Sequence, residues 1–305
     1  MNLGKTAALS HPGRRRRHNE DSYVVQPPLF AVADGMGGAK AGEVASGLAA
    51  AAVQESDGEG QSGEARVAAL IEEANRRVFR RANEDREASG MGTTMTVALV
   101  EDDRVAIGHV GDSRAYLIRN GELQQLTDDH SLVAELVRSG KLTPEEAEAH
   151  PQRSVITRAL GTEADVDVDT FSVESSPGDL FLLCSDGLTT MVDDETILDA
   201  VEQNRSDLQN AAKALINAAN RGGGEDNITV VFFELGVAEE PAEHTEDTVV
   251  TQRLTEDEET IDESDAHPAI EVVDRDRRGR LLPILAALAV LLIIAAAVLW
   301  LLDHL

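Results

Sequence analysis

The sequence predicts an α+β fold in which antiparallel sheets carry helices on their outer faces. Strand and helix signals come in long blocks joined by hairpins rather than as repeated strand-helix-strand units, and that order suits antiparallel pairing. Asn120-Gly121 joins two strand-like runs and marks a tight hairpin, because both residues tolerate positive φ. Residues 64–87 set Val67, Leu70, Ile71, Ala74, Val78 and Phe79 at helical spacing, which predicts one long amphipathic helix.

In chain order, a buried strand is expected at 29–33, then an alanine-rich helix at 42–54 and the amphipathic helix at 64–87. A strand at 105–119, with 105–110 as the buried run before Asp112, leads through Asn120-Gly121 into a second at 122–126. Apolar runs at 180–185 and 228–233 read as further buried strands, with a helix at 207–220 between them that closes at the glycines 222–224.

Composition narrows the class. A chain of 305 residues has room for one large domain or about two, and 27% charged with 42% apolar residues is ordinary for a globular core. The net charge of −29 argues against nucleic acid as a partner, since phosphate backbones draw Lys and Arg. Cys184 is the only cysteine, so no intrachain disulfide and no thiolate metal cage can form. It lies in the apolar run F-L-L-C-S-D and is expected to behave as a small buried hydrophobe. No apolar stretch follows the basic run Arg14–Arg17, so no signal peptide is expected.

The chain divides into a globular region at 1–236, an acidic disordered linker at 237–280, a membrane-spanning helix at 281–302 and a short extracytoplasmic tail at 303–305. Residues 281–302 carry no charge and are long enough to cross a bilayer as a helix, ~20 residues being needed. Arg275, Arg277, Arg278 and Arg280 precede that stretch, which places the globular region in the cytoplasm as part of a single-pass protein of the cell membrane. The linker is rich in Glu, Asp and Thr and poor in aromatics, so it cannot bury enough apolar surface to offset chain entropy.

Four aspartates stand out: Asp34 in A-D-G-M-G-G, Asp112 in V-G-D-S-R, Asp186 in C-S-D-G-L and Asp226 in G-E-D-N-I-T. Each adjoins a run that reads as a buried strand, and each alone would be a turn residue. Together they differ. Carboxylates gathered at strand ends repel unless a cation sits between them, so the set points to a site for hard divalent metals.

Six blocks recur in order: R-x-x-N-E-D-S at 16–22, D-G-M-G-G at 34–38, G-T-T at 92–94, G-D-S-R-A-Y at 111–116, S-D-G-L at 185–188 and E-D-N-I-T at 225–229. Over about residues 13–235 the chain resembles the metal-dependent type 2C serine/threonine protein phosphatases, the PPM family. The resemblance implies an α-β-β-α sandwich of two antiparallel sheets. It also implies hydrolysis of phosphoserine and phosphothreonine on proteins by water activated between two Mn²⁺ or Mg²⁺ ions. Asp34 then matches the bridging carboxylate, the Gly35 carbonyl completes one metal's protein ligands, and Asp186 and Asp226 match the ligands of the second. Asp112 matches a ligand of a third, weaker metal, with a strand-end turn as the alternative.

Arg16, three residues before Asn19, aligns with the family's phosphate-binding arginine; Arg14, Arg15 and Arg17 stay open as alternatives. Glu20 and Asp21 match an acidic pair beside the metals, acting through water or by orienting ligands. Met36 stands where animal relatives carry a histidine that protonates the leaving group, which leaves the general acid unassigned. Residues 128–161 resemble the mobile flap of bacterial members. The implied partners are phosphorylated proteins, among them Ser/Thr kinases and their substrates, and the membrane through 281–302. The alternative is a catalytically silent phosphatase-like scaffold that binds phosphoproteins at the membrane.

Overall fold

The computed structural model describes residues 2–236 apart from 38–40, 57–60 and 86–87. The linker at 237–280, the membrane helix at 281–302 and the tail at 303–305 lie outside the described residues. Among the described residues no helix is long and apolar enough to cross a membrane.

The described chain runs β1 (Asn2–His11), β2 (Asp21–Gln26), β3 (Leu29–Met36), α1 (Ala41–Gln54), α2 (Gly63–Glu84), β4 (Gly92–Thr93), β5 (Met95–Glu101), β6 (Arg104–Val110), β7 (Arg114–Arg119), β8 (Glu122–Gln125), α3 (Leu132–Arg138) and α4 (Pro144–Glu148). It continues through β9 (Asp169–Glu174), β10 (Leu180–Cys184), α5 (Asp186–Thr189), α6 (Asp194–Gln203), α7 (Leu208–Gly222) and β11 (Ile228–Gly236). One sheet has the order β1-β11-β10-β7-β8 and the other β2-β3-β5-β6-β9, with β4 paired to β3. All neighbouring strands pair antiparallel, as expected.

Alternation along each strand builds three apolar layers. Phe30 and Val32 of β3 face Phe181 and Leu183 of β10 and Phe233 of β11, filling the space between the sheets. Phe233 stacks on Phe30 at 4.3 Å between ring centroids and on Phe181 at 4.9 Å, offsets that suit aromatic quadrupoles. The alternate residues Ala31, Ala33 and Val97 face outward against Val53 of α1 and Val67, Ile71 and Val78 of α2. On the other side Leu182 and Val230 meet Leu215 and Ile216 of α7 and Ile197 of α6. The result is the four-layer α-β-β-α sandwich. Cys184 is buried in it, as expected.

One strand assignment needs correction. The run 105–119 is two strands, not one, and they belong to different sheets: β6 lies in the second and β7 in the first. Gly111 breaks the run at φ +114°, a backbone conformation that L side chains rarely adopt, and 111–113 carries the chain across the sandwich. The crossing is functional in placement, because it leaves Asp112 at the sheet margin. The long amphipathic helix ends at Glu84 rather than 87, and the late helix runs on to Gly222.

Candidate active site

Four strand ends converge at one edge of the sandwich. Asp34 lies near the end of β3, Asp112 just past β6, Asp186 just past β10 and Asp226 just before β11. Antiparallel register brings in a fifth carboxylate, because Asp21 at the start of β2 is the direct cross-strand partner of Asp34. Like charges in that relation repel.

Asp21 is tied across the two sheets. Its Oδ2 accepts from the Ser185 hydroxyl at 2.8 Å and from the Thr229 hydroxyl at 2.6 Å, while its Oδ1 is buried with no partner. The Oδ1 atoms of Asp112 and Asp186 are likewise buried and unpartnered. Burial pushes Asp21 up to about 7, Asp112 up to about 8 and Asp186 up to about 6, and neighbouring carboxylates add to each shift. Asp34 is driven well above the carboxylate range by burial and then by Asp21, Asp186, Asp112 and Asp226 in turn. Glu20 is raised too, chiefly by burial, with Arg16 pulling the other way.

Hydroxyls and glycines fix the backbones that carry these groups. The Asp34 N–H donates to Thr94 Oγ1 at 2.9 Å, the Thr93 hydroxyl donates to the Asp34 carbonyl at 2.9 Å, and Thr94 Oγ1 meets Ser113 Oγ at 2.7 Å. The G-T-T block therefore couples the loop of Asp112 to the strand of Asp34. A Cβ on Gly35 would stand 2.1 Å from the Gly42 carbonyl oxygen and 2.6 Å from that of Glu20, so only glycine lets α1 close on β3 there. A Cβ on Gly187 would stand 2.0 Å from the Asn227 carbonyl oxygen, which has the same effect between α5 and the loop of Asp226.

Arg16 donates from Nη2 to Asp226 Oδ2 at 2.7 Å, which singles it out from its neighbours. Arg14 reaches the Asn220 carbonyl at 3.4 Å and Arg15 stands 3.7 Å from Glu225. The loop that presents Arg16 is held by Asn227, a buried residue with no role assigned from sequence. Its Oδ1 accepts from the Glu20 N–H at 2.7 Å, and its Nδ2 donates to the carbonyls of Pro12 and His18, each at 3.0 Å. This one side chain therefore reaches both arms of the arginine loop.

Met36 closes the edge of the site in the pairing of β3 with Gly92 of β4. His18 is exposed, and His150 accepts from the Gln152 N–H at 3.2 Å, a structural contact. The segment 128–161 contains α3 and α4 and is anchored at its root. Arg114 grips Asp129 with two bonds of 2.9 and 2.8 Å, and the His130 N–H donates to the Gly111 carbonyl at 2.7 Å.

The donor set fits hard divalent ions. Among the described residues no group of three or more His, Cys, Asp or Glu side chains is already arranged to hold a metal ion. Mg²⁺ keeps several waters and takes only one or two carboxylates, so crowded carboxylates with spare oxygens suit such an ion better than a closed cage. The three orphaned Oδ1 atoms are the specific sign, because each is a buried acceptor that a cation or its water shell would satisfy.

Comparisons with known proteins agree with this geometry. Residues 14–220 match the family model described as Protein phosphatase 2C. A serine/threonine phosphatase, stp, of Listeria welshimeri is 43% identical over 233 residues, covering 73% of this chain and 92% of the relative. The crystal structure of the Mycobacterium tuberculosis serine/threonine phosphatase PstP/Ppp superposes with a TM-score of 0.73 at 43% identity, over 77% of this chain and 100% of that one. The catalytic domain of PstP in complex with two manganese ions gives a TM-score of 0.70 at 42% identity, over 77% of this chain and 99% of that one. With its six sequence blocks brought to one edge of the expected sandwich, this chain belongs to the protein phosphatase 2C family.

Proposed function

We propose that the chain hydrolyses phosphoserine and phosphothreonine on proteins, with two Mn²⁺ or Mg²⁺ ions held by Asp34, the Gly35 carbonyl, Asp186 and Asp226, and so opposes Ser/Thr kinases. The observation that carries this reading is the set of buried carboxylates with unpartnered oxygens beside Arg16. Bound there, the two cations supply Lewis acidity, lowering the pKa of the attacking water and offsetting charge on the phosphoryl oxygens.

The chain's own groups do the rest. Arg16 exchanges Asp226 for two phosphate oxygens, which its planar fork matches, and so orients the ester. Asp21, locked by Ser185 and Thr229, and Glu20, held through its backbone by Asn227, orient the water shell around the ligand carboxylates. Asp112 is suited to a third, weaker ion, because its free Oδ1 is aimed at no turn partner. A phosphoprotein-binding scaffold without catalysis would need Arg16 but not five crowded carboxylates. Burial and then mutual repulsion raise the pKa values of Asp21, Asp34, Asp112 and Asp186, so ionising them opposes folding unless cations offset it.

Kinetics of the full-length protein test these roles. Arg16→Ala should raise KM for a small phosphate ester by ~10- to 100-fold with a smaller loss in kcat, since charge-assisted bonds to phosphate exist before and during the reaction. Asn227→Ala should move KM in the same direction, and the double variant should be little worse than Arg16→Ala alone. Independent, additive effects would separate Asn227 from the placement of Arg16.

We also propose that residues 281–302 anchor the protein in the membrane with the phosphatase domain in the cytoplasm. The support is the uncharged stretch itself and the arginines at 275, 277, 278 and 280 before it. Removing 281–305 should shift the protein from the membrane to the soluble fraction with peptide turnover nearly unchanged. Recovery of the intact chain as soluble protein would contradict the anchor.

A further inference from the structure

The family motif needs one arginine before N-E-D, and this chain supplies four in a row at 14–17. Only Arg16 turns to Asp226. Its neighbours are not floppy tails, because the N–H groups of Arg14 and Arg15 donate to the Gly224 carbonyl at 2.8 and 3.1 Å and Asn227 holds both arms of the loop. The backbone of Arg14 and Arg15 is thus fixed beside the loop that carries Asp226, with Arg17 between them and the Asn227-held His18 carbonyl in sequence.

The rim is loosely neutralised. Arg15 keeps 70% of its side chain exposed and stands 3.7 Å from Glu225, and Arg153 of the segment 128–161 approaches the same carboxylate at 3.9 Å with 45% exposed. Arg17 is exposed and makes no ion pair within 4.0 Å among the described residues. Exposed pairs at such distances contribute little, so an incoming anion with better geometry can displace Glu225 at small cost. A phosphate offers more acceptor oxygens and a higher charge than that carboxylate.

The whole chain carries −29, which would repel acidic substrates at long range. At physiological salt, however, fields from exposed charges fade over about 8 Å, so the local arginines rather than the net charge govern what the mouth accepts. We propose that Arg15 and Arg17 form a second anion subsite, which selects phosphopeptides carrying another phosphate or a carboxylate next to the residue being dephosphorylated. This inference rests on the phosphatase reading above and names the substrate class of that same site.

Three phosphothreonine peptides that differ only beside the phosphoresidue, with alanines, aspartates or a second phosphothreonine there, separate the outcomes. The full-length protein with Mn²⁺ should turn over the doubly phosphorylated peptide with kcat/KM roughly fivefold or more above the alanine peptide, and the aspartate peptide between them. In the Arg15→Gln/Arg17→Gln double variant the three values should converge, with p-nitrophenyl phosphate hydrolysis unchanged. Equal turnover of the three peptides by the unsubstituted protein would overturn the subsite, as would a preference that survives the double substitution. Loss of p-nitrophenyl phosphate hydrolysis in the variant would place these arginines in the catalytic centre instead. Failure of the unsubstituted protein on every substrate would overturn the phosphatase reading and the subsite with it.

Discussion

Asp34→Asn should lower turnover of a phosphothreonine peptide by about three orders of magnitude while raising the thermal stability of the metal-free protein. The first effect follows because Asp34 is a proposed metal ligand, and loss of several kcal/mol of charge stabilisation in the transition state is a thousandfold in rate. The second follows from the position of Asp34, half-buried opposite Asp21 and pressed by Asp186, Asp112 and Asp226. An amide of the same shape keeps the backbone bonds to Thr93 and Thr94 and removes the repelling charge. Activity and metal-free stability are thus opposed at a single atom pair, a trade expected where function needs a strained site. Asp186→Asn should behave alike. Unchanged turnover would rule out Asp34 as a metal ligand, and a metal-free melting temperature lowered by more than a few degrees would rule out a net cost of its charge in the empty site.

Metal-free protein should lose stability steadily as pH rises from about 4 to 8, and added Mn²⁺ should restore it. The sign follows from the direction of the shifts. Asp186, Asp21 and Asp112 are raised to about 6, 7 and 8, so the fold favours their protonated forms and binds more protons than the unfolded chain. Stability is therefore highest below the ordinary carboxylate range, falls as pH passes through the folded values and changes no further from these groups above them. Because the carboxyls interact, the fall should be broad rather than stepped at each residue. Thermal melts in chelator across that range, repeated with Mn²⁺, measure it. A flat profile in chelator would show that the carboxylates do not repel as their burial implies.

Much of the site was legible in sequence because its carboxylates sit in short blocks at the ends of apolar runs, next to Gly or Asn. Asp34, Asp112, Asp186 and Asp226 could be placed at strand ends before any fold was known, and the structure puts all four at one edge. Arg16 could only be narrowed to a run of four. Its contact with Asp226, two hundred residues away in the chain, distinguishes it from Arg14 and Arg15. The same separation hid Asn227, whose partners lie near residue 12 and residue 20, and the meeting of Thr94 with Ser113.

Strands were legible where both faces are buried, as in β10 and the start of β11, while the edge strands β1, β2 and β9 were missed and β8 was legible through its Asn120-Gly121 hairpin. β1 and β2 are edge strands of mixed composition, ordered by pairing with β11 and β3 rather than by local preference. β5, by contrast, is a buried apolar run whose signal was present. So was that of α6, since Asp193 caps its first turn by accepting from the Thr196 N–H at 2.8 Å. The break at Gly111 illustrates the remaining limit. Strand-forming residues flank it on both sides, and nothing local says that the chain changes sheets there.

In the proposed mechanism the clustered carboxylates act by holding divalent cations for phosphoester hydrolysis. Phosphate release from a phosphothreonine peptide should be measured with full-length protein after exhaustive chelation and then during titration with Mn²⁺ or Mg²⁺. On that mechanism no release is expected in chelator, with recovery as either ion is added, because water-rich carboxylate sites hold such ions weakly enough to be stripped. Full turnover in the chelated protein, with no response to added metal, would contradict it.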